Sequence, residues 1–121
     1  MSRGLTLVIG ASENTSRYSN MAVQKLLAHG HAVMALGLRP GKIGDTRIHT
    51  GQPVINNVDT ITLYVGPERL ATMHDYILSL SPRRVIFNPG TEDDVFFARL
   101  RENGIEAVEA CTLVMLSTGQ F

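Results

Sequence analysis

The chain is short of the features that would commit it to an extreme class. It holds a single cysteine, Cys111, so no intrachain disulfide can form, as expected of a protein kept in a reducing compartment. No apolar run approaches the ~20 residues of a membrane span, and the amino terminus lacks a signal-peptide pattern. Charge of one sign is not in excess. Eleven Lys and Arg balance eleven Asp and Glu, so no global field draws the protein to nucleic acid or anionic lipid, and any anion site has to be local. The histidines, His29, His31, His49 and His74, show no metal-ligand spacing; His29 and His31 stand two apart across a helix end and cannot share a helical face. No nucleophile–base–orienter set can be read. The expectation is a cytoplasmic protein with neither metal nor catalytic residues, and with no nucleic-acid or membrane partner.

What is present is a rhythm. Short apolar, β-branched runs recur at Leu5–Ile9, Ala32–Leu36, Ile61–Val65, Val85–Phe87 and Ile105–Val108. Continuous apolar character over about five residues suits strands buried on both faces of a parallel sheet. Helical patterns alternate with them. The first lies within Ser19–His29, with Ala22, Val23, Leu26 and Leu27 on one face and Gly30 as its stop. The second follows Gly66-Pro67, where Leu70, Met73, Ile77 and Leu80 fall at spacings of three, four and three. The third opens at Thr91-Glu92-Asp93-Asp94, read as a capping box, and stops at Gly104. Residues 37–60 interrupt the alternation, with Gly37, Pro40, Gly41 and Gly44 near their start and no convincing helix; Val54-Ile55 is a candidate short edge strand. Strand alternating with helix implies one α/β domain over residues 1–121, a three-layer Rossmann-like arrangement with a mainly parallel sheet of five or six strands. Its 121 residues suffice for one core but not for a cofactor domain plus a catalytic domain.

The first strand ends informatively. Leu5–Ile9 stops at Gly10 and passes into Ala11-Ser12-Glu13-Asn14-Thr15-Ser16-Arg17, the pattern of a strand feeding a phosphate-binding loop ahead of a helix. Gly10 lets the backbone turn with its amides toward an anion, and Ser12, Thr15 and Ser16 add hydroxyls. On this reading replacement of Gly10 harms ligand binding more than folding. The G-x-G-x-x-G dinucleotide fingerprint is missing, since it needs glycine where Ser12 and Thr15 stand. A NAD site also needs an acid at the end of the second strand. Here the chain reads Gly37-Leu38-Arg39-Pro40-Gly41-Lys42, cationic and without an acid, which suits a phosphate on the adenosine ribose, as in NADP or coenzyme A.

Val8-Ile9-Gly10-Ala11-Ser12-Glu13-Asn14 followed by Ser16-Arg17 resembles the opening of small bacterial CoA-binding proteins with a Rossmann-type fold. Asn88-Pro89-Gly90-Thr91-Glu92 and the stretch from Gly104 to Cys111 match the same family. Pro40-Gly41-Lys42-Ile43-Gly44 with Gly51-Gln52-Pro53-Val54-Ile55-Asn56-Asn57-Val58 is similar to the amino-terminal CoA domain of the succinyl-CoA synthetase α subunit. The resemblance implies coenzyme A or an acyl-CoA as ligand. It implies Gly10, Ala11 and Ser12, with Asn14, Ser16 and Arg17, around the pyrophosphate, and Lys42, with Arg39 and Pro40 on the same loop, at the 3′-phosphate. Val65 and Pro67 would flank the adenine or the pantetheine arm, and Pro89-Gly90 the other wall. The chain departs from the family where Gly37-Leu38 stands in place of Asn-Pro. The expected function is a CoA or acyl-CoA binding module without catalytic machinery of its own, a sensor, carrier or partner subunit. An NADP-binding reductase and a vestigial protein-interaction scaffold are the alternatives.

Overall fold

A computed structural model describes residues 4–121. Strand β1 (Leu5–Ile9) leads to helix α1 (Tyr18–Ala28), then β2 (Val33–Leu36), β3 (Gly41–Ile43), β4 (Thr46–His49) and β5 (Val58–Leu63). A short helix α2 (Pro67–Leu70), a 3-10 turn over Ala71–Met73 and α3 (His74–Ser79) form one broken helical passage. Strand β6 (Arg84–Phe87), α4 (Asp94–Glu102), β7 (Glu106–Glu109) and α5 (Thr112–Ser117) complete the chain.

One sheet holds all seven strands in the order β3-β4-β2-β1-β5-β6-β7. Every neighbouring pair is parallel except the antiparallel β3–β4 hairpin at one edge. The α/β, mainly parallel, three-layer architecture is therefore as expected, with more strands than the five or six read from the sequence. The added pair comes from residues 37–60. Ile43 and Ile48 turn inward and are buried, while Lys42 and Arg47 face each other across the hairpin in the open. Val54-Ile55 is not a strand; Ile55 is buried in the core and Val54 is exposed. The stretch before it is held by the Tyr76 hydroxyl, which donates to the Pro53 carbonyl at 2.5 Å.

Alternation along the strands assigns the layers. From β1, Leu7 and Ile9 join Leu70, Ile77, Phe96 and Leu100 of α2, α3 and α4. Val8 points to the other face and joins Val23 and Leu26 of α1 and Leu116 of α5. Each such buried side chain contributes about 1.5–3 kcal/mol. Of the α1 face, Ala22, Val23 and Leu26 are buried, but Leu27 is exposed. Helix α4 starts later than the capping-box reading. Its cap is Asp93, whose Oδ1 accepts from the Phe96 amide at 3.1 Å, whereas Thr91 and Glu92 fold back on the preceding turn.

Candidate functional site

The strand order reverses beside β1, since the chain leaves it toward β2 on one side and returns to β5 on the other. Loops leaving the carboxyl ends of β1 and β5 therefore diverge, and a crevice opens between them, where ligands bind in such sheets. It has a volume of about 650 Å³, within the ordinary range of small-molecule sites.

The loop after β1 is built by three devices. Gly10 has φ +98°, and a Cβ there would meet the Tyr64 carbonyl oxygen at 2.7 Å, so only glycine makes this turn without strain. The Gly10 and Ala11 amides both donate to the Leu36 carbonyl, at 2.8 and 3.0 Å. Those two amides are thus spent on β2 and do not face an anion, which corrects the sequence reading. Asn20, buried on α1, donates its Nδ2 to the Ser12 carbonyl at 2.8 Å. Within the loop, Asn14 Oδ1 accepts from the Ser16 amide at 3.0 Å and the Ser16 hydroxyl at 2.7 Å, and the Ser12 hydroxyl accepts from the Asn14 amide at 3.1 Å. Among the described residues the amides of Ser12, Glu13 and Thr15 carry no hydrogen-bond partner. They are the donors left for an anion.

Across from this loop, β2 ends at Gly37, where a Cβ would meet the Ala11 carbonyl oxygen at 2.4 Å. A side chain at this position would collide with the loop as it is placed here. The next residues, Leu38, Arg39 and Pro40, line the crevice. So do Val65 and Gly66 after β5, and Pro89, Gly90 and Thr91 after β6.

Of the residues singled out from the sequence, Gly10, Ala11, Ser12, Arg17, Arg39, Pro40, Val65, Pro89 and Gly90 converge on the crevice. Asn14 and Ser16 stand behind the lining as loop scaffolding. Pro67 opens α2 one step back from the lining residue Gly66. Lys42 lies outside the lining on β3, its side chain exposed, while its amide donates to Glu13 Oε2 at 3.0 Å. Sequence reasoning did not single out Glu13, Ser19, Leu38, Tyr64, Gly66, Arg69 or Thr91, and left Tyr18 between covering the loop and packing on α1. Tyr18 is 69% exposed at the crevice mouth. Arg69 had one readable signal: it follows Gly66-Pro67 within a single helical turn at a strand's carboxyl end.

The crevice is basic. Arg17, Arg39 and Arg69 line it, and among the described residues none of them forms an ion pair with a carboxylate. The one acid in the lining, Glu13, is turned toward β3. Behind the Pro89–Thr91 wall lies a buried polar knot. Asn88 donates to the Thr62 hydroxyl at 2.6 Å and the Leu63 carbonyl at 2.9 Å, and accepts from the Thr112 amide at 2.8 Å. Thr91 donates its amide and hydroxyl back to the Asn88 carbonyl, at 3.0 and 2.8 Å. Asn88 thereby ties β5, the wall Pro89–Thr91 and the start of α5 together. Beside it, burial pushes the Tyr64 phenol up to about 12, the nearby Thr62 and Thr112 hydroxyls only softening the shift. Those hydroxyls are bonded to each other at 2.8 Å, and the Tyr64 hydroxyl is left buried without a hydrogen bond.

A doubly wound sheet with a basic crevice at its strand-order reversal defines a nucleotide-binding class of α/β protein. The particular family follows from the sequence: the CoA binding domain family matches residues 5–117, and the chain belongs to it. A crystal structure of an uncharacterised protein is similar over 100% of both chains, at 46% identity and a TM-score of 0.95. A Thermus thermophilus protein aligns over 98% of this chain and 91% of its own, at 20% identity and a TM-score of 0.84. A conserved hypothetical protein from Pyrococcus furiosus aligns over 93% and 98%, at 23% identity and a TM-score of 0.81. These last two are likenesses of fold. No curated protein matches the sequence. Among the described residues no helix is long and apolar enough to cross a membrane.

Proposed function

We propose that the crevice above Gly10 binds coenzyme A or an acyl-CoA, and that the protein is a cytoplasmic CoA-binding module, serving as sensor, carrier or partner subunit rather than as an enzyme in its own right. The observation that carries this reading is Arg39, lining the crevice at the end of β2 and, among the described residues, without a carboxylate partner. In this fold the adenosine ribose lies at that strand end, where NAD enzymes keep an acid. A guanidinium there favours a ribose bearing a phosphate. Membership of the CoA binding domain family favours CoA among the nucleotides that carry one. Arg17 and the amides of Ser12 and Glu13 suit the pyrophosphate, and Val65 with Pro89-Gly90 suits the pantetheine arm. Of the two loop cations, Arg39 is the favoured contact for the 3′-phosphate. Lys42 stands outside the lining.

An NADP-binding role shares the ribose phosphate, but the loop has serine and threonine where the dinucleotide fingerprint needs glycine. A scaffold with a vestigial loop would have no reason to keep a crevice of unpaired cations. Thermal melting with CoA, acetyl-CoA, dephospho-CoA, NAD and NADP separates the three. At a hundred times its dissociation constant a ligand stabilises by about 2.7 kcal/mol. CoA and acetyl-CoA are expected to raise Tm, dephospho-CoA to do so less, and NAD not at all. A stronger response to NADP than to CoA would select the reductase reading, and no response to any ligand the scaffold.

A further inference from the structure

We propose that the acyl group carried on CoA in this crevice ends in a carboxylate, and that Arg69 receives it; the inference rests on the CoA reading above. The anionic groups of CoA fall in two places, the pyrophosphate and the ribose phosphate. The crevice already offers an arginine near each, Arg17 at the end of the β1–α1 loop and Arg39 after β2. Arg69 is a third, on the opposite side of the strand-order reversal, with Gly66 and the Pro89–Thr91 wall beside it in the lining. That side is the one to which the pantetheine arm and its acyl group run when the ribose phosphate lies at β2, and the arm itself is uncharged along its length. A guanidinium there matches nothing in CoA itself.

Arg69 is also held for use. Its neighbour Leu70 is fully buried, the Leu70 amide donates to the Gly66 carbonyl at 2.9 Å, and the Thr72 hydroxyl donates to the Arg69 carbonyl at 2.7 Å. The backbone that carries the guanidinium is therefore anchored. Among the described residues Arg69 forms no ion pair with a carboxylate. By contrast Arg99, on the exposed face of α4, meets Asp75 at 2.7 Å. A planar guanidinium matches a carboxylate through two parallel hydrogen bonds.

The test compares acyl-CoA pairs of matched shape, succinyl-CoA against butyryl-CoA and glutaryl-CoA against pentanoyl-CoA, by calorimetry on the intact protein. At least one carboxylate-ended member is expected to bind about tenfold tighter than its methyl-ended partner, the scale of one charge-assisted hydrogen bond. Arg69→Gln is expected to erase that preference, weakening the carboxylate-ended ligand about tenfold more than it weakens CoA or butyryl-CoA. The preference should also shrink as salt rises. Equal binding within both pairs overturns the proposal. A preference that survives Arg69→Gln, or that ignores salt, overturns it too. If Arg69→Gln weakens CoA itself by the same factor, Arg69 serves the pyrophosphate and the acyl assignment fails while the CoA reading stands. If CoA does not bind the parent protein, both fall together.

Discussion

The two ends of the sheet are made from the same strands and treat their arginines in opposite ways. Among the described residues, both arginines at the amino end, Arg83 and Arg84, have partners. Arg83 meets Asp59 at 3.0 Å and Glu106 at 3.6 Å, bridging the starts of β5 and β7. Arg84, buried at the head of β6, donates to the Phe121 carbonyl at 3.1 Å and the Thr60 hydroxyl at 3.3 Å, and stacks its guanidinium over the Phe121 ring at 4.6 Å. At the carboxyl end Arg17, Arg39 and Arg69 border open space, and among the described residues none has an acid partner. The presence of cations therefore says little about function here; what distinguishes the ligand end is that its cations are left unneutralised. Changes at the amino end should cost stability and spare binding, and changes at the carboxyl end should do the reverse.

Gly10→Val is the sharpest exception to that rule and carries the largest expected effect. It sits at the ligand end, yet its φ of +98° and the 2.7 Å approach to the Tyr64 carbonyl make a side chain incompatible with the β1–β5 pairing. This reverses the expectation that binding suffers before folding. A loss of about 3–4 kcal/mol in chemical denaturation is expected, and a variant as stable as the parent would show that the turn can be remade.

Asn88→Ala comes next. It strands the Thr112 amide and the Leu63 carbonyl in the interior, with an expected cost of about 2–3 kcal/mol. It should also weaken CoA binding, because Pro89–Thr91 loses its anchor. Melting curves with and without CoA separate the two losses, and a stability loss with unaltered affinity would detach the wall from the polar knot.

Arg39→Ala leaves the unliganded protein as stable as the parent and weakens CoA binding by about 1.5–3 kcal/mol. Dephospho-CoA should be nearly indifferent to it, and Lys42→Ala should do much less. A larger effect at Lys42 than at Arg39 would move the ribose phosphate out to the β3 hairpin.

The smallest effect belongs to the amino end. The Arg83 hydrogen bond holds the Asp59 carboxyl below its usual range. A carboxyl depressed by folding stabilises above its unfolded pKa, about 3.9, and that contribution is lost as pH falls through the lower folded value. Asp59→Asn should therefore cost about 0.5 kcal/mol at neutral pH, since the pair is solvent-exposed. The difference from the parent should vanish in strong acid, with CoA affinity unchanged throughout. A gap that persists at pH 2 would assign the loss to packing.

How legible all this was depended on what each segment buries. β1, β2 and β6 announce themselves because strands covered on both faces need long apolar runs. By contrast β5 (Val58–Leu63) begins before the apolar run read at Ile61–Val65, and β7, at the sheet edge, shows Glu106 and Glu109 to water. The β3–β4 hairpin, at the rim, buries only Ile43 and Ile48 and shows Lys42 and Arg47 to water, so its alternation was too short to stand out, although Gly44-Asp45 between those isoleucines marked the turn. Helix α5 is only six residues long, Thr112–Ser117, less than two turns, and periodicity has nothing to act on. At the site, the turn at Gly10 was readable as chemistry, but the engagement of its amide was not, because the acceptor lies on a different strand. Arg39 and Lys42 are close in sequence and both basic; only the direction in which the hairpin leaves the sheet separates a lining residue from an outlying one. Arg69 was hidden by its neighbours, since Leu70 and Ile77 explained the helix and left the arginine looking like ordinary surface.

Gly37 has a consequence beyond avoiding a collision. With no side chain there, the end of β2 rests directly against Ala11, and the Leu36 carbonyl grips two amides of the facing loop. The starts of the segments that carry Arg17 and Arg39 are thereby tied to each other. On the proposed reading the crevice would then act as a gauge of set span, favouring ligands whose charged groups match the separation of its arginines.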